Sequence, residues 1–394
     1  MRTPFFGALA CLLVTQAAAQ VPLTYPDILA KARPAPGRWR AEALLAERGL
    51  QARESQGFLR EGPSVALLAG PRRTPELGTR TDQGLEVDLP LFLAPATRAA
   101  LEASLGRAHP LLVEAARREG QFQLRSAYLE AWLAVKLVTL READLVTVDR
   151  WLAAARARLD AGADPAFQVA LVEGERLKVQ QELDEARIQE ARAWGALAAR
   201  AELPPAPQPL ADPGPVPEIP AAGLERRLEA SPLRQALLAQ ADLETQGLRL
   251  KEAQALSRWS LRGSYAREGE DKVARLGVAV RLPRSGETNA VRSATQAQIR
   301  AVQGEARQAL AELDARAQSA ANRLRRAPAP TAAPDFAKAL EAVGLRLQEG
   351  RERPSDALPI RRQLLESQMA ALRHIHTRHL LAAELQALLP EVNP

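Results

Sequence analysis

Gly84-Leu85-Glu86-Val87-Asp88-Leu89-Pro90 stands 193 residues ahead of Gly277-Val278-Ala279-Val280-Arg281-Leu282-Pro283. Both stretches open on glycine, alternate between apolar and other residues, and close on Leu-Pro. Alternation is the mark of a strand with two unlike faces, because successive side chains point to opposite sides. The same offset joins Ala43-Leu44-Leu45-Ala46 to Ala236-Leu237-Leu238-Ala239, and Gly70 to Gly263. Further on, Arg158-Leu159 and Gly162 match Arg346-Leu347 and Gly350 at an offset of 188. One such match arises by chance in an alanine-rich chain. An ordered series of them is a tandem duplication.

The halves meet at a segment with prolines at 204, 205, 207, 209, 213, 215, 217 and 220, which reads as an extended, polyproline-like connector. Ahead of the first half, Arg2, the apolar run Phe5 to Val14 and Ala17-Ala18-Ala19 predict an export leader over 1–19. The expected organisation is therefore leader 1–19, first repeat 20–203, Pro-rich linker 204–220 and second repeat 221–394. Each repeat reads as helix, strand, turn, strand, long helix, turn, helix. In the first, a helix covers Trp39 to Gln56, a strand Ser64–Gly70, a loop Gly70 to Asp82, and a second strand Gly84 to Phe92. A helix then runs from Ala96 to about Ala161, roughly 100 Å at 1.5 Å per residue, with a kink expected near Gly106 and Pro110. A turn at Gly162-Ala163-Asp164-Pro165 leads to a returning helix that ends near Glu202. Leu124, Tyr128, Ala131, Ala134, Val135 and Val138 recur at heptad-like spacing, the pattern of antiparallel coiled-coil packing. In the second repeat, Pro328, Pro330 and Pro334 fall within the long helix, which must bend or break there.

Leu85, Val87 and Leu89 share one strand face with Val278, Val280 and Leu282 as their counterparts, and this face is expected to meet lipid. Glu86, Asp88, Arg262 and Arg281 fall on the other face, as expected for a wet lumen. Trp259 and Tyr265 are six residues apart on a strand, about 20 Å, near the spacing of aromatic girdles. A soluble sheet with one buried face shows the same alternation. Four strands cannot close a barrel and open edges are not tolerated in lipid, whereas three chains supply twelve strands.

The chain carries a formal charge of +6, with arginines interspersed among acidic residues along helices. That reads as solvated helix faces, and no nucleic-acid partner is expected. Aromatics make up only 4% of residues, and the sole cysteine, Cys11, lies within the leader, so packing alone must hold the fold. His376 and His379 form an i, i+3 pair able to share a metal, but no Glu-x-x-His or further cysteine accompanies them. They read as solvated or interfacial. No phosphate loop, nucleophile elbow or metalloprotease helix is present, so the expectation is no enzyme, no metal and no cofactor.

The series resembles the outer membrane factor, or TolC-like, family of efflux and secretion channels over essentially the whole mature length. Thr24 to Pro36 is similar to the family's opening helix, with Ser231-Pro232-Leu233 as its second-half counterpart. Leu89-Pro90-Leu91-Phe92 resembles the strand-to-helix Pro-Leu-Phe, and Ala127-Tyr128-Leu129-Glu130 the Ala-Tyr-Leu-Asp of the long helix. Arg158 to Gly162 and Arg346 to Gly350 resemble the Arg-x-x-x-Gly of the periplasmic tip, followed by Pro354-Ser355-Asp356-Ala357-Leu358.

The resemblance implies a mainly α fold with a small β part: duplicated antiparallel helical hairpins forming an α-barrel, and four strands per chain in a trimeric twelve-stranded barrel. It implies an outer-membrane location with a periplasmic helical domain, and a role as the channel of a tripartite efflux pump or type I secretion system. The implied partners are two further copies of the chain, outer-membrane lipid, a periplasmic adaptor (membrane fusion) protein and an inner-membrane transporter. Arg158, Gly162, Arg346 and Gly350 would form the docking tip. Asp356 would line the aperture, or serve as a helix N-terminal aspartate favoured by the dipole; Gln168 holds its place in the first repeat. The alternative reading is a soluble periplasmic coiled-coil adaptor or scaffold, which shares leader and hairpins but does not duplicate strand pairs.

Overall fold

The computed structural model describes residues 21–55, 62–74, 78–91, 94–217, 219, 223–268, 271–282, 286–327 and 336–390. The expected leader, Phe92 and the prolines at 328, 330 and 334 lie outside these. Helix α1 (Tyr25–Ala30) opens on a capping box, with the Asp27 carboxylate accepting from the Thr24 amide at 2.9 Å. Helix α2 (Pro36–Glu54) starts on proline, whose missing N–H would have had no intrahelical partner there. Strands β1 (Ser64–Thr74) and β2 (Gly78–Pro90) follow, then α3 (Pro95–Asp160) and α4 (Ala166–Ala198). After the connector come α5 (Leu224–Glu229), α6 (Pro232–Leu256), β3 (Trp259–Glu268), β4 (Asp271–Val280), α7 (Glu287–Arg326), α8 (Phe336–Gln348) and α9 (Pro354–Leu388).

The strands form one antiparallel sheet in the order β1-β2-β3-β4, so the inner pairing of β2 with β3 joins the two repeats. One expectation needs correction. Among the described residues, 70–74 and 78–82 are not loop: the ladder continues through Pro71–Thr81 to Thr74–Gly78. Pro71 is tolerated because β1 is an edge strand, where a missing donor need not break a second ladder. Pro110 lies inside α3, which is one helical element, and its ring removes one main-chain donor.

The chain packs as two compact units, each drawing on both repeats. One comprises Met1–Arg33, Leu124–Val216 and Ala329–Leu380; the other comprises Pro34–Gln123, Pro217–Pro328 and Leu381–Pro394 and contains the sheet. Two cores hold the first unit. In one, Leu124, Tyr128 and Ala131 of α3 pack with Trp194 and Leu197 of α4 and Ile28 of α1. In the other, Val148, Trp151 and Ala155 meet Val172 and Val179 of α4, with Leu347 and Leu358. Of the heptad-like series, Leu124, Tyr128, Ala131, Ala134 and Val138 are buried and Val135 half-buried.

The connector is part of the first core. Leu210 is buried in it, and Leu23 and Leu210 form a parallel bridge in which Leu23 N donates to the Pro209 carbonyl and Ala211 N to the Leu23 carbonyl, both at 2.9 Å. Tyr128 donates to the Ala211 carbonyl at 2.6 Å, Trp194 to Pro204 at 2.9 Å and Trp132 to the Asp212 carboxylate at 2.9 Å. Burial, aided by the Asp212 charge, pushes the Tyr128 phenol up to about 12, so it remains a donor. In the second unit, Leu45 and Ala52 of α2 meet Leu101 and Ala108 of α3 and Leu243 and Leu250 of α6. Leu313 and Ala317 of α7 pack with Leu381 and Leu385.

Candidate functional site

Residues directly opposite in an antiparallel ladder share a face, so the register sorts the sheet into rows. On one face the rows are Trp259–Val280, then Leu89–Leu261–Val278, then Val65–Val87–Gly263–Leu276, then Leu67–Leu85–Tyr265–Ala274. The next row, Ala69–Gln83–Arg267–Lys272, turns polar. The apolar rows extend six residues along a strand, about 20 Å. They are uncovered: Leu67 is 84% exposed, Leu276 79% and Val278 62%. Burying one such side chain is worth about 1.5–3 kcal/mol, so several together rival the roughly 5–15 kcal/mol that holds a whole domain folded. A face built this way requires cover.

The opposite face carries Ser64, Glu86, Asp88, Arg262, Ser264 and Arg275. Arg262 reaches Glu86 at 3.3 Å and Asp88 at 3.5 Å; these half-exposed pairs add little stability but keep the face wet. Glu86, Asp88 and Arg262 share one face, and Leu85, Val87, Leu89, Val278 and Val280 the other. Arg281 and Leu282 follow the end of β4 and are exposed. Among the described residues, β1 and β4 each have a neighbour on one side only.

The two predicted tip turns have the same backbone. Gly162 (φ +69°) donates to Leu159 O at 2.9 Å and Ala163 to Arg158 O at 2.8 Å. Gly350 (φ +73°) donates to Leu347 O at 3.2 Å and Arg351 to Arg346 O at 2.9 Å. Each is a Schellman ending, with glycine at the left-handed position. The turns also meet. The Arg158 guanidinium grips Asp164 with two hydrogen bonds, of 2.6 and 3.0 Å, and lies where a Cβ on Gly350 would have to go. The Arg158 hydrogen bond holds the Asp164 carboxyl below its usual range against partial burial, and the Arg158 and Arg353 charges assist. Buried Gln168 accepts from Ser355 N at 3.1 Å, so it caps α9. Asp356, in the first turn of α9, is exposed, and the Arg346 side chain is also exposed.

Solved structures share the overall fold. A membrane protein from Pseudomonas aeruginosa matches with TM-score 0.67 at 18% identity, over 93% of this chain and 91% of that one. The outer membrane protein VceC of Vibrio cholerae matches with TM-score 0.68 at 17% identity, over 90% and 93%. The CmeC outer membrane channel of Campylobacter jejuni matches with TM-score 0.67 at 12% identity, over 91% and 84%. This is the TolC-like fold. No family model matches the sequence, nor does any curated protein.

Within this TolC-like chain, sequence reasoning missed a buried ion cluster above the turns. Arg361 of α9, 1% exposed, bonds both Asp144 of α3 and Glu175 of α4, and Arg362 grips the same Glu175. Burial works to raise Glu175, but the Arg362 hydrogen bond and the two arginine charges outweigh it and leave its pKa low. The signal was present in the spacing, since Glu175 falls between Val172 and Val179 on the buried stripe of α4. The histidine pair, read as solvated or interfacial, lies at a helix interface. His379 is 2% exposed and bonds the connector carbonyl of Gly214, because α9 turns that side inward; the neighbouring His376 is half-buried. Among the described residues no group of three or more candidate ligands could hold a metal.

Proposed function

We propose that this chain is the outer-membrane channel of an efflux or secretion assembly, acting as a conduit and carrying out no catalysis. The observation that carries this reading is the uncovered apolar sheet face, about 20 Å deep, ending on a polar row, with a charged face behind it and two edges lacking neighbours. No described helix is long and apolar enough to cross a membrane. Lipid tolerates only helices and closed barrels, so the sheet is the part that can enter it, and it must close with other copies. Three copies give twelve strands, with Leu85, Val87, Leu89, Val278, Val280 and Leu282 toward lipid and Glu86, Asp88, Arg262 and Arg281 toward water.

The helices then stand in the periplasm, and the duplicated turns at Arg158–Gly162 and Arg346–Gly350 are the docking tip for an adaptor that links the channel to an inner-membrane transporter. Asp356, exposed beside these turns, is the candidate for the aperture. Solved channels that share the fold are named as outer membrane channels, among them CmeC of Campylobacter jejuni. The test is to fractionate membranes and weigh the detergent-solubilised particle by light scattering. The expected result is outer-membrane recovery with about three protomers per particle. A water-soluble monomer with full β content would instead place the chain with periplasmic adaptors and scaffolds.

A further inference from the structure

The apolar face of the sheet ends differently at its two rims. At the helix end, where β2 and β4 run on toward α3 and α7, the last row is Trp259–Val280 and carries no base. At the hairpin end, the last apolar row holds Leu67, Leu85 and the half-exposed Tyr265. One row further, about 7 Å along the strands, Gln83, Arg267 and Lys272 stand side by side on β2, β3 and β4, all exposed. Arg267 lies directly opposite Lys272 in the ladder, which sets their Cβ atoms about 5 Å apart. Like charges so placed repel. A phosphate between them reverses the sign of that interaction: the planar guanidinium can meet two of its oxygens, and the ammonium adds a point charge. Apolar rows, then an aromatic ring, then two bases follow the order of hydrocarbon, interface and headgroup in a bilayer.

We propose that Arg267 and Lys272, with the Gln83 amide as a neutral donor beside them, bind the phosphate of an anionic lipid headgroup in the leaflet at the hairpin end. The site rests on the reading of this sheet face as lipid-facing and adds to it a preference between leaflets. Because the bases of the paired rows stand at one rim only, the sheet is matched to a bilayer whose anionic surface meets the hairpins and not the helices. The acyl chains of the bound lipid lie along Leu67, Leu85 and Tyr265. A free anion has no such chains, so the rim discriminates in favour of lipid. Arg275, on the opposite face of β4, takes no part.

The experiment is native mass spectrometry of the full chain in detergent, given equal amounts of phosphatidylglycerol and phosphatidylcholine with the same acyl chains. The anionic lipid is expected to be held about fivefold more tightly, the worth of one base near a charged surface. Arg267→Gln combined with Lys272→Gln should bring the two lipids level; both side chains are exposed, so folding and assembly should not change. Arg275→Gln removes a cation from the other face and should leave the preference intact. Excess inorganic phosphate should not displace the retained lipid. Equal retention of both lipids by the intact chain, an undiminished preference in the double variant, an equal drop with Arg275→Gln, or displacement by inorganic phosphate would overturn the proposal while leaving the sheet in lipid. Retention of neither lipid would overturn it together with the lipid-facing reading of the sheet.

Discussion

Gly162 and Gly350 share a backbone conformation but not a neighbourhood, and a substitution can separate the two. Nothing lies within 4 Å of a Cβ built on Gly162, so Gly162→Ala should cost only the left-handed penalty, about 1–2 kcal/mol. At Gly350 the same methyl would overlap the Arg158 guanidinium, so Gly350→Ala should cost roughly a further 1 kcal/mol. In a double-mutant cycle by chemical denaturation, Arg158→Ala should remove that extra cost. Simple additivity would show that the side chain yields freely. The glycines were legible because a helix ending is local chemistry, whereas the reach of Arg158 from one repeat onto the other depends on packing that no local pattern records. His379 supplies a second test. Burial lowers its pKa first, with Arg125, Arg378 and His376 acting the same way and the Gly214 carbonyl opposing; Glu130 raises the neighbouring His376. The folded chain therefore binds fewer protons than the unfolded chain, and stability is lost as pH falls through about 6.5. Melting temperature should drop between pH 7.5 and 5.5, and His379→Gln should flatten the slope. Glu175 and Asp164, whose pKa values are lowered, lose their contribution only at pH below the ordinary carboxylate range, outside this window.

At the scale of the element, the sheet was the most legible part of the chain, because a period of two assigns every residue to a face once one is known. Its length was not legible. Gly70-Pro71 reads as a turn, yet pairing with β2 carries β1 on to Thr74, since ladder bonds gained along an edge outweigh one missing donor. The face assignment itself can be tested by adjacent substitutions. Val87→Arg places a charge in the middle of the apolar rows and should impair assembly, by about 2–4 kcal/mol if it sits at the bilayer midplane. Asp88→Arg, one residue on, should assemble normally and alter only conductance. Equal recovery of both variants in the membrane fraction would remove the sheet from lipid. The buried cluster of Arg361, Asp144 and Glu175 was less readable, because charge at a stripe position looks like a flaw in the pattern until its partners from two other helices are in place.

For the molecule as a whole, the duplication was legible from ordered matches, but the grouping of parts was not. Each compact unit takes segments from both repeats, and β2 pairs with β3 across the repeat boundary, so the joints of the fold do not coincide with the joint of the sequence. Long-range pairing decides this, and periodicity carries no information about it. The two unpaired edges, β1 and β4, belong to different repeats of one chain. In the proposed ring every seam is therefore shared property: each chain completes one neighbour and is completed by the other. This has a genetic signature. Gly350→Val forces a β-branched side chain into the left-handed position of the proposed docking turn, far in sequence from the strands. It should therefore still join rings but not dock, and should be dominant when co-expressed with an equal amount of the intact chain. Random mixing leaves only about one ring in eight wholly intact, so export should fall far below half. An activity of half would mean that each copy works for itself.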